Sequence, residues 1–336
     1  MSCDAESYTA VNFHSGNRAF DYRAWKQDGK LSTWQREFRE RLQETLGLSS
    51  ILETYRELPL SACNLEVVKF ATYRREKWTI CSEPGVKIPF YLFLPNSTRP
   101  VPLLMILHGH NKTGKEVFVS TLNEQPEVAV VERALSEGYA VMTPDVRGFG
   151  EMARQQDLDA GRVNSCEALQ RQSLLFGRTL IGERVYDVHR LIDYALTRPE
   201  IDSSRIVVNG HSGGGAVTLL AAACDLRISH AIPTSYFCTF EASILAMDHC
   251  ICNVIPNIMK LGEMYDIAGL IAPRPLFLIH GSEDRIFPVS ATRESFSHVQ
   301  AIYRELEDGF CELYVGKFGH RIEHKPMWDF LRKHLE

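Results

Sequence analysis

The segment Gly210-His211-Ser212-Gly213-Gly214 holds a serine with a glycine two residues to either side. It directly follows the apolar run RIVVN and directly precedes the helical run AVTLLAAA, which predicts a tight strand-to-helix turn with Ser212 at its apex. Larger side chains at the glycines would collide with the neighbouring strand and helix, so the pattern suits a nucleophile held up from the turn. The turn also brings the Gly213 N–H and a helix N-terminus beside the serine, where they can stabilise a developing oxyanion. A serine hydroxyl attacks only once a base takes its proton, and this turn calls for an acid and then a histidine further along the chain. Both are present. The run PLFLIHG ends in a loop carrying Asp284, and the run CELYVGK ends in Phe318-Gly319-His320. Strands of an open α/β sheet gather such groups at their carboxyl ends, so Ser212, Asp284 and His320 are expected to meet at one edge. The expected chemistry is acyl transfer. Ser212 attacks a carbonyl carbon, His320 accepts and returns the proton, and Asp284 orients the imidazole and stabilises its cation.

A second oxyanion donor is expected from the loop after the first buried parallel strand, His108-Gly109-His110-Asn111. There the His110 N–H is the candidate and Asn111 its rival, while the His108 side chain is read as bracing the loop. Glu283 rivals Asp284, and His280, His298 and His324 rival His320; Gly319 favours His320 by making its loop tight and exposed. His211, Tyr236 and His249 are the candidate substrate contacts, and Arg154, Arg162, Arg171 and Phe237 are further side chains that could clasp a sugar or an acidic leaving group. Two patterns raise a metal. His320 to His324 has H-x-x-E-H spacing, but Gly319 and Pro326 leave too little helix to bring both histidines to one face. His249-Cys250-Ile251-Cys252 is a C-x-C without an evident partner cluster, read as loop or packed thiols lining the pocket. No metal is therefore expected.

The elements that must position these groups change texture near Val101. Before it, LEVVKFATY, WTIC and IPFYLFLP read as short strands of a meander, with Glu83-Pro84-Gly85 as a turn. After it, apolar runs at 102–109, 139–145, 205–212, 228–235, 275–281 and 311–317 alternate with amphipathic stretches. Runs of Val, Ile and Leu without alternation suit strands buried on both faces, which predicts a mostly parallel sheet covered by helices. Residues 150–182 and 236–270 break that rhythm and are expected to pass over the sheet as binding loops or lids. Ahead of the strands, Trp34, Phe38, Leu42 and Leu46 form an i, i+4 stripe, with Ser32 and Gln35 at capping-box spacing and Gly47 placed to end the helix. Arg36 with Glu40, and Glu37 with Arg41, would lace its wet face. The expected division is a helical extension over 1–60 packed on a core over 61–336.

Among 336 residues, 42 acidic and 37 basic side chains leave a formal charge of −5, and no run of Lys or Arg could neutralise a phosphate backbone or an anionic membrane. No apolar run of about 18 residues is present to span a bilayer, and the N-terminus lacks the pattern of a signal peptide. Nine cysteines, an odd number scattered along a long chain, fit reduced thiols. A cytoplasmic protein acting on a small-molecule ester is expected, without nucleic-acid or membrane partners; homo-oligomerisation is left open.

Together these residues resemble the α/β-hydrolase superfamily over roughly 85–336. The resemblance is carried by the HG loop, a D-x-R-G-x-G turn from Asp145 to Gly150, the GHSGG turn, the loop from Gly281 to Pro288 and the terminal Gly319-His320. The lead-in strands, the N-terminal helix and Ile271-Ala272-Pro273-Arg274-Pro275 look most like the dienelactone-hydrolase and acetyl-xylan-esterase-like branch, which shares its core with prolyl-oligopeptidase-type domains. The resemblance implies an α/β-hydrolase fold with an eight-stranded, mostly parallel sheet, no cofactor, and ester hydrolysis, with short acyl (acetyl) esters, including those of carbohydrates, in view. The chain departs from carbohydrate deacetylases, whose turn reads R-G-Q-G, by carrying Phe149, and from dienelactone hydrolases by its serine nucleophile. Two other functions compete: a serine peptidase of the prolyl-oligopeptidase type, and a non-catalytic binding protein on the same fold. The Asp145 to Gly150 turn is read as structural, with Arg147 bracing loops near the site.

Overall fold

Alternate residues of the strand Val101–Leu107 enter opposite faces of one sheet: Leu103, Met105 and Leu107 join one apolar core, Leu104 and Ile106 the other. A strand so placed has no wet side, which explains its unbroken apolar sequence. The structure is a computed structural model and describes residues 18–26, 30–119, 126–306 and 308–335. In chain order its main elements are α1 (Leu31–Leu46), α2 (Leu48–Thr54), β1 (Cys63–Lys69), β2 (Tyr73–Glu83), β3 (Val86–Pro95), β4 (Val101–Leu107), α3 (Pro126–Ser136), β5 (Ala140–Pro144), α4 (Cys166–Leu175) and α5 (Leu180–Ala195). There follow β6 (Ile201–His211), α6 (Gly213–Cys224), β7 (His230–Thr234), β8 (Leu276–Gly281), α7 (Val289–Tyr303), β9 (Cys311–Gly316) and α8 (Lys325–Leu335).

The sheet runs β1-β2-β3-β5-β4-β6-β7-β8-β9, antiparallel from β1 to β5 and parallel from there to β9. It has nine strands among the described residues, one more than the eight the resemblance implies. The antiparallel β1 makes the outer edge beside β2, and most of its residues are exposed. WTIC is the middle of the eleven-residue β2 and not a strand of its own. Helices cover both faces, α5 and α6 on one and α3 and α8 on the other. The two irregular intervals hold only short elements besides α4, including helices at Gln155–Asp159, Ile258–Leu261 and Met264–Gly269. Among the described residues, no helix is long and apolar enough to cross a membrane.

The stripe of α1 is wholly buried, with Trp34, Phe38, Leu42 and Leu46 at 0% exposure. Trp34 Nε1 donates to the Phe20 carbonyl at 3.1 Å, and the Phe20 and Phe38 rings stack at 4.8 Å. Gly47 ends the helix at φ 74°, as its sequence position predicts. The start differs. The helix begins at Leu31, with Lys30 before it and no side-chain cap. Gln35 cannot close a capping box because its amide donates to the Gly269 and Ala272 carbonyls. The wet-face pairs also differ: Arg36 meets Glu37 and Arg41 meets Glu44, the chain being free to choose nearer carboxylates at the surface.

The Asp145 to Gly150 turn places Arg147 in a buried set of carboxylates. Its guanidinium donates to Asp187 (2.6 and 3.0 Å), Glu83 (2.7 Å) and Glu183 (3.2 Å), joining the end of β2 to α5. Removing the cation would leave three buried carboxylates without their shared partner. Arg147→Met is therefore expected to lower unfolding stability by about 3–5 kcal/mol, read from urea denaturation beside the wild type.

Candidate active site

β6 ends at His211 and α6 begins at Gly213, so one residue makes the turn: Ser212, at φ 54° and ψ −118°. A serine holds such a backbone only when its surroundings over-determine it. Ser212 N–H donates to the Thr234 carbonyl of β7 at 2.9 Å, and its own carbonyl accepts from Ala216 N–H at 3.0 Å. Close approach supplies the rest. A Cβ on Gly210 would strike the Gly214 carbonyl, and a Cβ on Gly214 would strike the Leu107 carbonyl of β4. The helix thus starts against two strands at backbone distance.

The loops after β8 and β9 bring the other two groups to this turn. Asp284 is buried, and its Oδ1 accepts from the Ile286 and Phe287 N–H groups at 2.9 and 3.1 Å. Its Oδ2 lies 2.9 Å from His320 Nδ1, and His320 Nε2 lies 2.8 Å from Ser212 Oγ. A carboxylate can only accept, so Nδ1 carries the proton and Nε2 is left to take the serine's. Burial opposes charge on Asp284, but the hydrogen bond and field of His320 and the two backbone donors hold its carboxyl below the usual carboxylate value. Groups in this arrangement can activate a serine oxygen. The rival groups lie elsewhere: Glu283 is exposed, His280 bonds the Phe287 carbonyl, His298 packs on Tyr265 and His324 accepts from Trp328 Nε1.

Above the serine opens a cleft of about 410 Å³. His110 and Gly213 line it beside Ser212, as do Asn111 and all three candidate substrate contacts, His211, Tyr236 and His249.

The sequence pattern of the Abhydrolase family matches residues 15–302. The chain belongs to the Abhydrolase family. Over 224 residues, 65% of this chain and 72% of the relative, it is 26% identical to a Bacillus subtilis (strain 168) protein named as a hydrolase, YtaP. Its fold matches a Bacteroides fragilis protein described as an acetyl xylan esterase, with TM-score 0.81 and 16% identity over all of this chain and 96% of the other. An acetyl xylan esterase from Paenibacillus matches with TM-score 0.61 and 18% identity, over 87% of this chain and 94% of that one. The α/β-hydrolase fold expected from the sequence is the fold observed.

In this Abhydrolase the flanking residues divide between cleft and scaffold. Tyr236 is buried against the Phe287 ring at 5.0 Å, and Phe287 in turn stacks on His320 at 5.9 Å. His249 packs edge-on to Phe287 and its Nε2 pairs with Ser243 Oγ at 2.9 Å. Burial and the charge of His320 push the His211 pKa down to about 3, so His211 offers a neutral ring. Four side chains read as sugar-clasping candidates do not line the cleft. Arg154 and Arg162 face Asp157, Arg171 meets Glu167 on the surface, and Phe237 is buried in the core. Cleft residues that the sequence reading did not single out include Met247, Asp248 and Asn253 from the second excursion. Their only signal was their place in that long connection.

The C-x-C reading is corrected. Cys250 and Cys252 do have a partner cluster, formed by Cys166 at the start of α4 and by the His110 ring, with all four ligand atoms within 4.8 Å of one another. Three chain segments more than fifty residues apart make it, and no local spacing announces that.

His108 braces the loop as expected. Its Nε2 accepts from Val146 N–H at 3.0 Å, which leaves Nδ1 to donate to the Gly109 carbonyl at 2.8 Å. Burial pushes its pKa from 6.5 down to about 4, and a proton on Nε2 would face a donor. The unfolded chain therefore takes up this proton first as the pH falls, and the stability it supports is complete above 6.5 and lost on the way down to about 4. His108→Gln keeps an acceptor that does not titrate. Equilibrium unfolding across that window is expected to show a shallower pH slope in the variant, by up to about 1.4 kcal/mol per pH unit.

Proposed function

We propose that the chain is a serine hydrolase of carboxylic esters with small acyl groups, sugar acetates among them. The observation that carries this reading is the unbroken relay from Ser212 Oγ through His320 to Asp284, at 2.8 and 2.9 Å. In the proposed reaction Ser212 attacks the ester carbonyl while His320 Nε2 takes its proton. Asp284 keeps Nδ1–H oriented and offsets the imidazolium charge. The tetrahedral oxyanion is held by the Gly213 and His110 N–H groups, and His320 returns its proton to the departing alkoxide. Water then cleaves the acyl-enzyme along the same path.

The acyl preference is supported by the wall around the serine, where Tyr236, Ile286 and Phe287 crowd the relay, and by the fold shared with acetyl xylan esterases. The cleft lining also carries Asn111, Asp248, His249 and Asn253, polar groups that suit a hydroxylated alcohol. A cytoplasmic setting fits the eight described cysteines, all free thiols.

A fluorophosphonate probe is expected to label the Ser212 peptide, mapped by mass spectrometry. Turnover of p-nitrophenyl esters should fall from acetate to octanoate, and Ser212→Ala should lose about 10⁴-fold or more in kcat. An unlabelled Ser212 with undiminished turnover in Ser212→Ala would sink the reading.

A further inference from the structure

We propose that His110 and Cys166, Cys250 and Cys252 form a closed tetrahedral site for a structural zinc ion beside the active-site cleft. Cys252 Sγ lies 3.3 Å from Cys250 Sγ and 3.4 Å from His110 Nε2, and Cys166 Sγ lies 4.0 Å from the same nitrogen. Zinc bonds of about 2.3 Å to sulfur and about 2.0 Å to nitrogen set tetrahedral edges of about 3.8 Å between sulfurs and about 3.5 Å from sulfur to nitrogen. The two sulfur–nitrogen separations bracket the second value, the sulfur–sulfur separation falls about half an ångström short of the first, and all four ligand atoms lie within 4.8 Å of one another, so small side-chain shifts would seat the ion. Three thiolates and an imidazole are a zinc-type donor set, and four protein ligands leave no open position, which makes the role structural.

Charge supplies an independent argument. A zinc ion with three thiolates and a neutral imidazole carries −1 in a site where Cys166 and Cys252 are each 1% exposed. Arg184 is likewise buried, and its Nη2 lies 3.2 Å from Cys166 Sγ. Its Nε and Nη2 also donate to the Arg147 carbonyl, and among the described residues no carboxylate forms an ion pair with it. A buried guanidinium without a counter-charge is costly, and neutral thiols would not provide one. Thiolates would, and zinc keeps them deprotonated, releasing the thiol protons to solvent as it binds.

The site would tie together the segments that surround the nucleophile. His110 belongs to the loop after β4, Cys166 to the first excursion, and Cys250 and Cys252 to the second. The His110 ring also lies over the turn itself, so near that a Cβ on Gly213 would come within 2.6 Å of its Nδ1. Binding at Nε2 would fix that ring and with it the backbone beside Ser212. The inference stands on the cluster alone and does not depend on the ester reading.

The test uses the full chain, produced in zinc-supplemented medium and purified without a metal-affinity step. Elemental analysis is expected to find roughly one zinc per chain, released when an organomercurial titrates the thiols and followed with a zinc-chelating dye. Cobalt(II) added to the stripped protein should give thiolate-to-cobalt charge transfer and tetrahedral d–d bands. Cys252→Ser and Cys166→Ser should lower zinc content at least about fivefold, while Cys63→Ser, at an exposed thiol, should not. Three outcomes would overturn the proposal: a wild-type chain that neither retains zinc nor shows the cobalt bands, zinc content unchanged in both ligand variants, or a disulfide among the three cysteines in the native protein. Wild-type metal content and the cobalt spectrum decide the matter even if a variant fails to fold.

Discussion

One residue carries the chain from β6 into α6, and the backbone contacts around that residue constrain everything near it. The helix starts so close to β4 and β6 that only hydrogen fits where Gly210 and Gly214 have it. Ser212 is held at a φ that a free chain would leave, by the Thr234 carbonyl on one side and the first turn of α6 on the other. The cost of that conformation is met by packing through the sheet, since most of β4, the C-terminal half of β6 and all of β7 are buried on both faces. A serine on a flexible loop would lack the fixed distance to His320 that the relay requires.

The same closeness explains why the neighbouring loop is built from histidines with bracing or packing roles. His108 spans from the Gly109 carbonyl to the Val146 N–H, tying the loop after β4 to the turn after β5. His110 fills the space that the missing Cβ of Gly213 leaves open. Phe149 stands edge-on to both rings, at 5.5 and 5.0 Å, with the Arg184 guanidinium over its face at 5.2 Å. The phenylalanine where carbohydrate deacetylases carry glutamine is thus a packing residue between two loops, and the departure lies in the scaffold beneath the cleft.

What could be read from the sequence follows the range of the forces involved. The Gly-Ser-Gly turn, the loops after PLFLIHG and CELYVGK and the buried stripe of α1 are local patterns, and their meeting at one edge follows from the rule for parallel strands. Gln35 shows the limit. Its spacing from Ser32 suits a cap, but it is drawn instead to two carbonyls more than 230 residues away, which no local pattern encodes. Arg154, Arg162 and Arg171 were legible as charged residues in a long connection, and only the fold shows that each turns to a carboxylate of its own segment. The thiol and imidazole cluster is the furthest case. The C-x-C of Cys250 and Cys252 is visible in the sequence, but its proximity to Cys166 and His110 is a property of how two excursions settle over one loop.

Helix α5 is where the buried charges of this fold meet. Glu183 and Asp187 hold Arg147 from one side, and Arg184, between them in sequence, bonds the Arg147 carbonyl and reaches Cys166. Successive residues of a helix point about 100° apart, so Glu183 and Asp187 share a face that Arg184 leaves. One turn of helix can therefore neutralise a cation and present another to the sulfurs. The carbonyl that accepts from Arg184 belongs to the residue whose guanidinium Asp187 and Glu183 hold. The turn after β5 and the thiol cluster are thus joined by a continuous chain of hydrogen bonds that runs through α5.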